Sequence, residues 1–172
     1  GDHDSVAKIF ENVLELYNIE NELKQMNLVL FSSAVEHLVR LHRVLTTPLG
    51  NALLVGVGGS GKQSVTHLAS FCAGYHVFTI TLSRGYGENE FREELKELFR
   101  IAYKKPVTFL FTDAHCVEEG FLELINNILT VGMVPALFRD EDKDAVVRLV
   151  TPAVKEAGLM PTELNCMNHF KN

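Results

Sequence analysis

The stretch that decides the fold is Gly56-Val57-Gly58-Gly59-Ser60-Gly61-Lys62. It follows the apolar run Ala52-Leu53-Leu54-Val55 and precedes a helical pattern from Gln63 to Ala73. This order of strand, glycine-rich loop and helix is that of the phosphate-binding loop (P-loop), G-x-x-x-x-G-K-[ST]. Glycines let several backbone N–H groups turn towards one polyphosphate, and the helix adds free N–H groups and the positive end of its dipole. The sequence therefore predicts a nucleotide-binding loop.

The last motif position departs from the pattern, because Gln63 stands where Ser or Thr supplies a hydroxyl for Mg²⁺. Ser64 follows one residue later, but a helix turns by roughly 100° per residue, so its hydroxyl should point away. The Gln63 carbonyl can coordinate a hard cation in a different rotamer. Lys62 supplies a point charge for the β- and γ-phosphates. We expect ATP or ADP as the ligand, with Gln63 as a candidate ligand of Mg²⁺.

Composition is that of a soluble α/β domain with its own core: 172 residues, 47% of them hydrophobic and 22% charged. The formal net charge of -6 argues against binding to nucleic acid or to an anionic membrane surface. No apolar run approaches the roughly 20 residues of a membrane span. Three separated cysteines predict reduced thiols. The polar start without Met predicts no signal peptide and a piece of a larger protein.

Periodicity along the chain predicts strands that alternate with helices. Helices are expected over 5–17, 33–45, 63–73, 89–103, 118–130 and 142–157, with one more after 161, and strands over 52–55, 76–82 and 107–112. Pro152 should kink or split its helix. Because the apolar runs are continuous, the strands should be covered on both faces, as in parallel sheets. We predict an α/β P-loop NTPase fold, a parallel sheet flanked by helices, with an N-terminal helix and linker over 1–31 and the P-loop domain over 32–172.

A second candidate site element is the apolar run from Thr108 to Asp113. An apolar strand that ends in a carboxylate, one strand further along than a P-loop, is typical of a Walker B element whose Asp holds Mg²⁺ directly or through water. AAA+ ATPases normally place a Glu next, and that Glu activates the attacking water. Here the position is Ala114, which cannot accept a proton. We expect His115 to be an exposed loop histidine rather than a substitute base.

Four stretches carry a resemblance to a known family. They are Met26–Phe31, Gly50–Ser64, Phe109–Ala114 and Leu124–Asn127, the last followed by Leu137-Phe138. Together they resemble the fourth AAA+ module of dynein heavy chains, and the Asp-Ala ending and the Gln after Lys resemble the axonemal (ciliary) branch. The resemblance runs through nearly the whole chain. The chain departs from the family pattern at Leu49, where Arg is usual, and at Pro152, in a helix that the family keeps regular.

The resemblance implies one of six AAA+ modules in a ring that moves cilia along microtubules, located in the cytoplasm and cytoskeleton, at the axoneme of a cilium or flagellum. It implies a module that binds nucleotide and adjusts the ring, while the first module carries the main hydrolysis. Its partners would be the neighbouring modules, the dynein complex and microtubules. Leu28, Val29 and Leu30 would lie in the linker against the adenine, although plain core packing explains them equally well. The sensor strand, lid and neighbour-facing arginine should follow Asn172, which would make this chain an incomplete large subdomain.

Two other classes of function stay open. A self-sufficient P-loop ATPase or kinase would need a catalytic carboxylate or an arginine lid, and the sequence shows neither. A scaffold with a vestigial P-loop would bind no nucleotide, which a nucleotide titration tests.

Overall fold

The apolar periodicity of the chain produces an α/β fold with a small parallel sheet. The computed structural model describes residues 2–57 and 61–171, and the elements given below lie within those residues. The helices are α1 (Asp2–Glu20), α2 (Ser32–Leu45), α3 (Lys62–Cys72), α4 (Glu88–Lys104), α5 (Glu119–Val131), α6 (Asp140–Glu156) and α7 (Glu163–Lys171), and the strands are β1 (His76–Thr79) and β2 (Val107–Leu110). Every predicted helix is present, with ends that differ by a few residues.

Strands β1 and β2 pair in parallel, with His76 opposite Val107 and Thr79 opposite Leu110. The parallel arrangement confirms the prediction from their apolar runs, although each strand is shorter than expected. Phe78 and Phe109 lie opposite each other in the register, with ring centroids 6.1 Å apart. Such cross-strand aromatic pairs stabilise a sheet by contact between side chains on one face.

The chain divides into two units, and the first comprises residues up to Thr79 together with Lys105–Leu110. Its core is formed where α1, α2 and α3 pack on one another. The buried side chains of this core are Phe10, Val35, Leu38, Leu41, Val65, Leu68 and Ala69. In α2 and α3 these side chains recur at spacings of three and four residues, as in the apolar stripe of an amphipathic helix, and α1 contributes Phe10. Burial of that stripe fixes the direction of α3, the helix that begins at Lys62.

The predicted first strand, residues 52–55, is wrong: these residues form no strand. Leu53 is 91% exposed and Val55 is 86% exposed. A continuous apolar strand is stable only when a neighbour pairs with its backbone and both faces are covered. The part of the chain that the structure describes gives this segment neither, so its apolar side chains remain in contact with solvent.

The second unit comprises Ile80–Lys104 and the residues from Phe111 onward. Helices α6 and α7 bury Val146, Val150, Val154, Cys166 and Phe170 against each other. Of the prediction that Pro152 kinks or splits its helix, the split is wrong, because α6 continues from Asp140 to Glu156, and the kink stays a prediction. Proline removes one helical hydrogen bond. The three valines, spaced four residues apart on the buried face, hold the helix on both sides of Pro152, whose own side chain is exposed.

Helices α4 and α5 contact through aromatic side chains in the same unit. Phe91 and Phe121 are both fully buried, and their rings stack with centroids 4.4 Å apart. Stacked aromatic pairs of this kind add roughly 0.5–1.5 kcal/mol beyond the area that they bury. Phe91, Leu95 and Leu98, at spacings of three and four residues along α4, are buried, whereas Ala102 is exposed. Across the described ranges, the helices are too short or too polar for any of them to traverse a bilayer.

A first prediction concerns Gly50, at the turn that follows α2. A Cβ at this position would lie 1.8 Å from the backbone oxygen of Val44, so the backbone would have to move. We expect Gly50→Ala to lower the free energy of unfolding by about 3 kcal/mol, the upper end of ordinary overpacking. Urea denaturation followed by circular dichroism measures the loss.

The matched control is Gly74→Ala, in the same unit. Gly74 has a φ of 73° but nothing within 4 Å of an added Cβ. Only the left-handed backbone then opposes the substitution, at about 1 kcal/mol. Equal losses for the two variants would show that the close approach at Gly50 relaxes at no cost.

Candidate functional site

The glycine-rich loop ends in a backbone geometry that suits an anion. Gly61 has a φ of 78°, in the left-handed region, and is the N-cap of α3. The first helical hydrogen bond runs from the Val65 N–H to the Gly61 carbonyl, over 2.9 Å. The N–H groups of Lys62, Gln63 and Ser64 therefore precede the first helical bond, at the positive end of the helix dipole. This is the arrangement that binds phosphate groups in many proteins.

Lys62 lies on the loop that it follows. Its Nζ donates hydrogen bonds to the carbonyl oxygen of Gly56 and, over 3.1 Å, to that of Val57. An ammonium group has three N–H donors, and two of them are engaged here. Among the described residues, these two bonds hold the Lys62 charge close to Gly56 and Val57, at the start of the loop. Gly56 and Val57 themselves are exposed, and Lys62 is half-buried.

Three predicted site residues, Gly58, Gly59 and Ser60, lie outside the described residues. Their role in cradling phosphate stays a prediction.

The three residues predicted to lie against the adenine differ in their exposure and in their contacts. A Cβ at Gly61 would lie 3.6 Å from Cδ1 of Leu28, so the Leu28 side chain touches the end of the loop. Leu28 and Leu30 are half-buried and pack against the core of the first unit. Val29 is 74% exposed. The structure brings Leu28 to the loop, and contact with adenine stays a prediction for all three.

Gln63 and Ser64 occupy successive positions in the first turn of α3. The Gln63 side chain is exposed, whereas Ser64 is half-buried. Their different exposure follows from the rotation between neighbouring helical residues. The amide of Gln63 can therefore be reached from solvent. Its role as a metal ligand stays a prediction.

Asp113 belongs to the second unit, where it begins a 3₁₀ turn over Asp113–His115. Both Asp113 and Ala114 are exposed. The turn is closed at both ends, because the Thr112 N–H donates to Nδ1 of His115 over 3.0 Å and the His115 N–H donates to the Thr112 carbonyl over 2.9 Å. The carboxylate of Asp113 therefore projects from a turn with a fixed backbone.

The expectation that His115 is an exposed loop histidine is wrong. Its ring is half-buried and lies 5.7 Å from the ring of Phe111, centroid to centroid. Because Nδ1 accepts the Thr112 N–H, the neutral ring carries its proton on Nε2. Burial lowers the pKa of His115, against the opposing effect of the Glu94 charge. The signal that sequence reasoning missed is Thr-x-x-His, a capping box with His in the place of Glu or Gln.

The residues that the structure describes fit a nucleotide phosphate at the start of α3, since Gly61 has no side chain and Lys62 adds a cation. Residues 2–57 and 61–171 contain no cluster of three or more His, Cys, Asp or Glu side chains that could hold a metal ion. Mg²⁺ rarely needs such a cluster, because one or two carboxylates together with the phosphates and water complete its octahedral shell. Asp113 belongs to the second unit, and its role as a metal ligand stays a prediction.

Comparison with known proteins gives a consistent result. Residues 26–172 match the family described as "P-loop containing dynein motor region D4". The Dynein-1-alpha heavy chain of the flagellar inner arm I1 complex of Chlamydomonas reinhardtii is 53% identical over 99% of this chain, and dynein axonemal heavy chain 10 of Homo sapiens is 50% identical over 99%. The dynein beta chain of the flagellar outer arm of Chlamydomonas reinhardtii is 46% identical over 98%. This chain spans only 4% of the length of each relative.

A second prediction concerns pH. Burial, and then the charge of Lys24, lower the pKa of His67 in α3, and burial lowers the pKa of His115. The unfolded chain therefore binds protons at these rings before the folded chain does, and the free energy of unfolding falls as the pH drops below about 6.5. His67→Gln should make this fall shallower. His115→Asn should do the same while keeping an acceptor for the Thr112 N–H.

Urea denaturation at pH 7.5 and pH 5.5 measures the difference for each variant. His37→Asn, at an exposed position of α2, is the matched control. A fall as steep in His67→Gln and His115→Asn as in the unmodified chain would contradict the prediction.

Proposed function

Because this chain belongs to the P-loop-containing dynein motor region D4 family, we propose that it is the nucleotide-binding fourth AAA+ module of an axonemal dynein heavy chain. The observation that carries the proposal is the start of α3, where left-handed Gly61, the free N–H groups and the Lys62 ammonium meet. These groups favour a polyphosphate, ATP or ADP. Leu28, which touches Gly61, is the residue best placed to contact the rest of the nucleotide.

The module is proposed to regulate the motor and to hydrolyse little ATP. Ala114 follows Asp113 and offers only a methyl group to an attacking water. His115 is a poor substitute base, because its Nδ1 already accepts the Thr112 N–H and its Nε2 carries the proton. Loss of a general base alone reduces turnover by roughly 10²–10⁴-fold. Gln63, with an amide in place of a hydroxyl, weakens the metal site further.

The partners and location of the module follow from its relatives. Their names place them in flagellar or axonemal dyneins. For this chain we propose the neighbouring AAA+ modules of the same heavy chain as partners, with microtubules and the dynein complex reached through the parent protein at the axoneme. We retain the division into a linker over 1–31 and a P-loop domain over 32–172, in which Leu28 brings the linker to the loop.

A self-sufficient P-loop ATPase or kinase is the second candidate function. It shares the nucleotide site, so nucleotide binding does not separate the two candidates. Turnover does, because only the second needs an efficient route for proton transfer and a well-held metal. Phosphate release is therefore the measurement that decides between them.

A third prediction is that Lys62→Ala weakens ATP binding by roughly 10- to 100-fold, the range expected for one lost hydrogen bond to a charged group. Titration with a fluorescent ATP analogue measures the affinity, and circular dichroism checks the fold. Lys105→Ala removes the same charge from an exposed position of the same unit and should leave the affinity unchanged. Equal affinity of a folded Lys62→Ala variant and the unmodified chain would refute the phosphate role.

A fourth prediction is that the unmodified chain releases phosphate from ATP negligibly. Ala114→Glu alone should remain slow, because Gln63 still places no hydroxyl on the metal. The double variant Ala114→Glu/Gln63→Thr, with both groups restored, should turn over faster than either single variant. Phosphate release with Lys62→Ala as the blank measures all four. Turnover in the unmodified chain that disappears in Lys62→Ala would favour the self-sufficient ATPase instead.

A further inference from the structure

Two buried hydroxyls follow Lys62 at helical spacing along α3. Thr66 is 4% exposed and Ser70 is fully buried. The Thr66 Oγ1 donates to the carbonyl of Lys62 over 2.9 Å, and the Ser70 Oγ donates to the carbonyl of Thr66 over 2.8 Å. Each hydroxyl thus reaches the carbonyl four residues earlier. Together they connect the middle of the helix to its first turn.

A third hydroxyl extends this connection to the sheet. The Oγ atoms of Ser70 and Thr108, in β2, lie 2.9 Å apart, and Thr108 is 6% exposed. Ser70 has one hydrogen, which is engaged with the Thr66 carbonyl, so the hydrogen between the two hydroxyls comes from Thr108. Each of the three hydroxyls then donates once, and none is left unpaired. We call Thr66, Ser70 and Thr108 the hydroxyl ladder.

Helix stability alone does not explain these residue types. Ser and Thr are poorer helix formers than Ala or Leu, and a hydroxyl that bonds the carbonyl four residues back slightly destabilises a helix. The neighbouring buried positions of α3, Leu68 and Ala69, are apolar as core packing requires. A fully paired polar network in such surroundings holds its members in one geometry.

The ladder ends on the peptide group that joins Lys62 to Gln63. This group is planar and trans, so its carbonyl and its N–H point in opposite directions along the helix. The carbonyl accepts the Thr66 hydroxyl. The N–H belongs to Gln63, points towards the N-terminal end of α3 and precedes the first helical bond. A hydrogen bond to the carbonyl therefore fixes the direction of this N–H and polarises it as a donor.

We propose that the hydroxyl ladder positions the Gln63 N–H for the nucleotide phosphates and couples strand β2 to the first turn of α3. The three hydroxyls are positioning residues, since none of them touches the ligand. The inference rests on the proposed nucleotide-binding function. It names three buried hydroxyls that affect the affinity for the nucleotide.

The central test compares ATP affinity in Thr66→Val and Thr66→Ser. Valine has the shape of threonine without the hydroxyl, and we expect roughly 3- to 10-fold weaker binding, as for one lost neutral hydrogen bond. Serine keeps the hydroxyl and should retain the affinity. The matched control is Thr151→Val in α6, where the Thr151 Oγ1 donates to the Val147 carbonyl over 2.6 Å in the second unit. This control loses the same kind of bond and should bind ATP normally.

A spectroscopic readout isolates the positioning effect. In ¹⁵N-labelled protein, the Gln63 amide proton should move upfield in Thr66→Val, because its N–H is less polarised, and should stay in place in Thr66→Ser and Thr151→Val. Thr108→Val tests the far end of the ladder and should weaken ATP binding by about 2-fold, with a double variant less affected than the product of the single effects. If Thr66→Val does not fold, Thr108→Val alone decides.

Normal ATP affinity in folded Thr66→Val and Thr108→Val, with weakened binding in Lys62→Ala, would overturn the ladder proposal and leave the nucleotide site standing. Normal affinity in Lys62→Ala as well would overturn the nucleotide site and the ladder proposal with it.

Discussion

The burial of one face of α3 is the constraint on which the candidate site depends. Leu68 and Ala69 have no exposed surface, and they hold the helix against α1 and α2. A helix fixed in this way has fixed ends, so its free N–H groups and its dipole point in one direction. A loop of glycines could not maintain that direction by itself, because glycine has the largest conformational freedom of any residue. The geometry of the candidate phosphate site therefore depends on the burial of the apolar face of α3.

The sequence predicts the helices well because each of them carries a local signal. Apolar residues at spacings of three and four mark α2 and α4. The charged residues 139–142 mark the start of α6, where the Arg139 N–H donates to the Asp142 carboxylate over 2.9 Å. The strand predicted over 52–55 fails because a strand is stable only through its neighbours. No feature of four apolar residues reveals whether a partner pairs with them.

For the candidate site too, the sequence predicts the features that are local in the chain and not those that depend on the fold. The loop and Lys62 could be identified from a motif, since spacing along the chain sets them. The capping role of His115, the carbonyl partners of Lys62 and the bond between Ser70 and Thr108 could not. Ser70 and Thr108 lie 38 positions apart in the sequence, and only the tertiary fold brings their hydroxyls together. Threonine in a strand and serine in a helix are each ordinary residues, so neither indicates the other.

Positioning and proton transfer place different demands on a nucleotide site, and this chain meets them unequally. Positioning needs donors with fixed directions, which Gly61, the first turn of α3 and the buried hydroxyls provide. Proton transfer needs an acceptor within reach of water, whereas Ala114 has none and His115 uses its accepting nitrogen to close the Thr112 turn. Under the proposed function, a site with this balance would bind a nucleotide and hydrolyse it slowly. Slow hydrolysis is the property that the proposed regulatory role requires, because the bound nucleotide must persist while the rest of the motor responds to it.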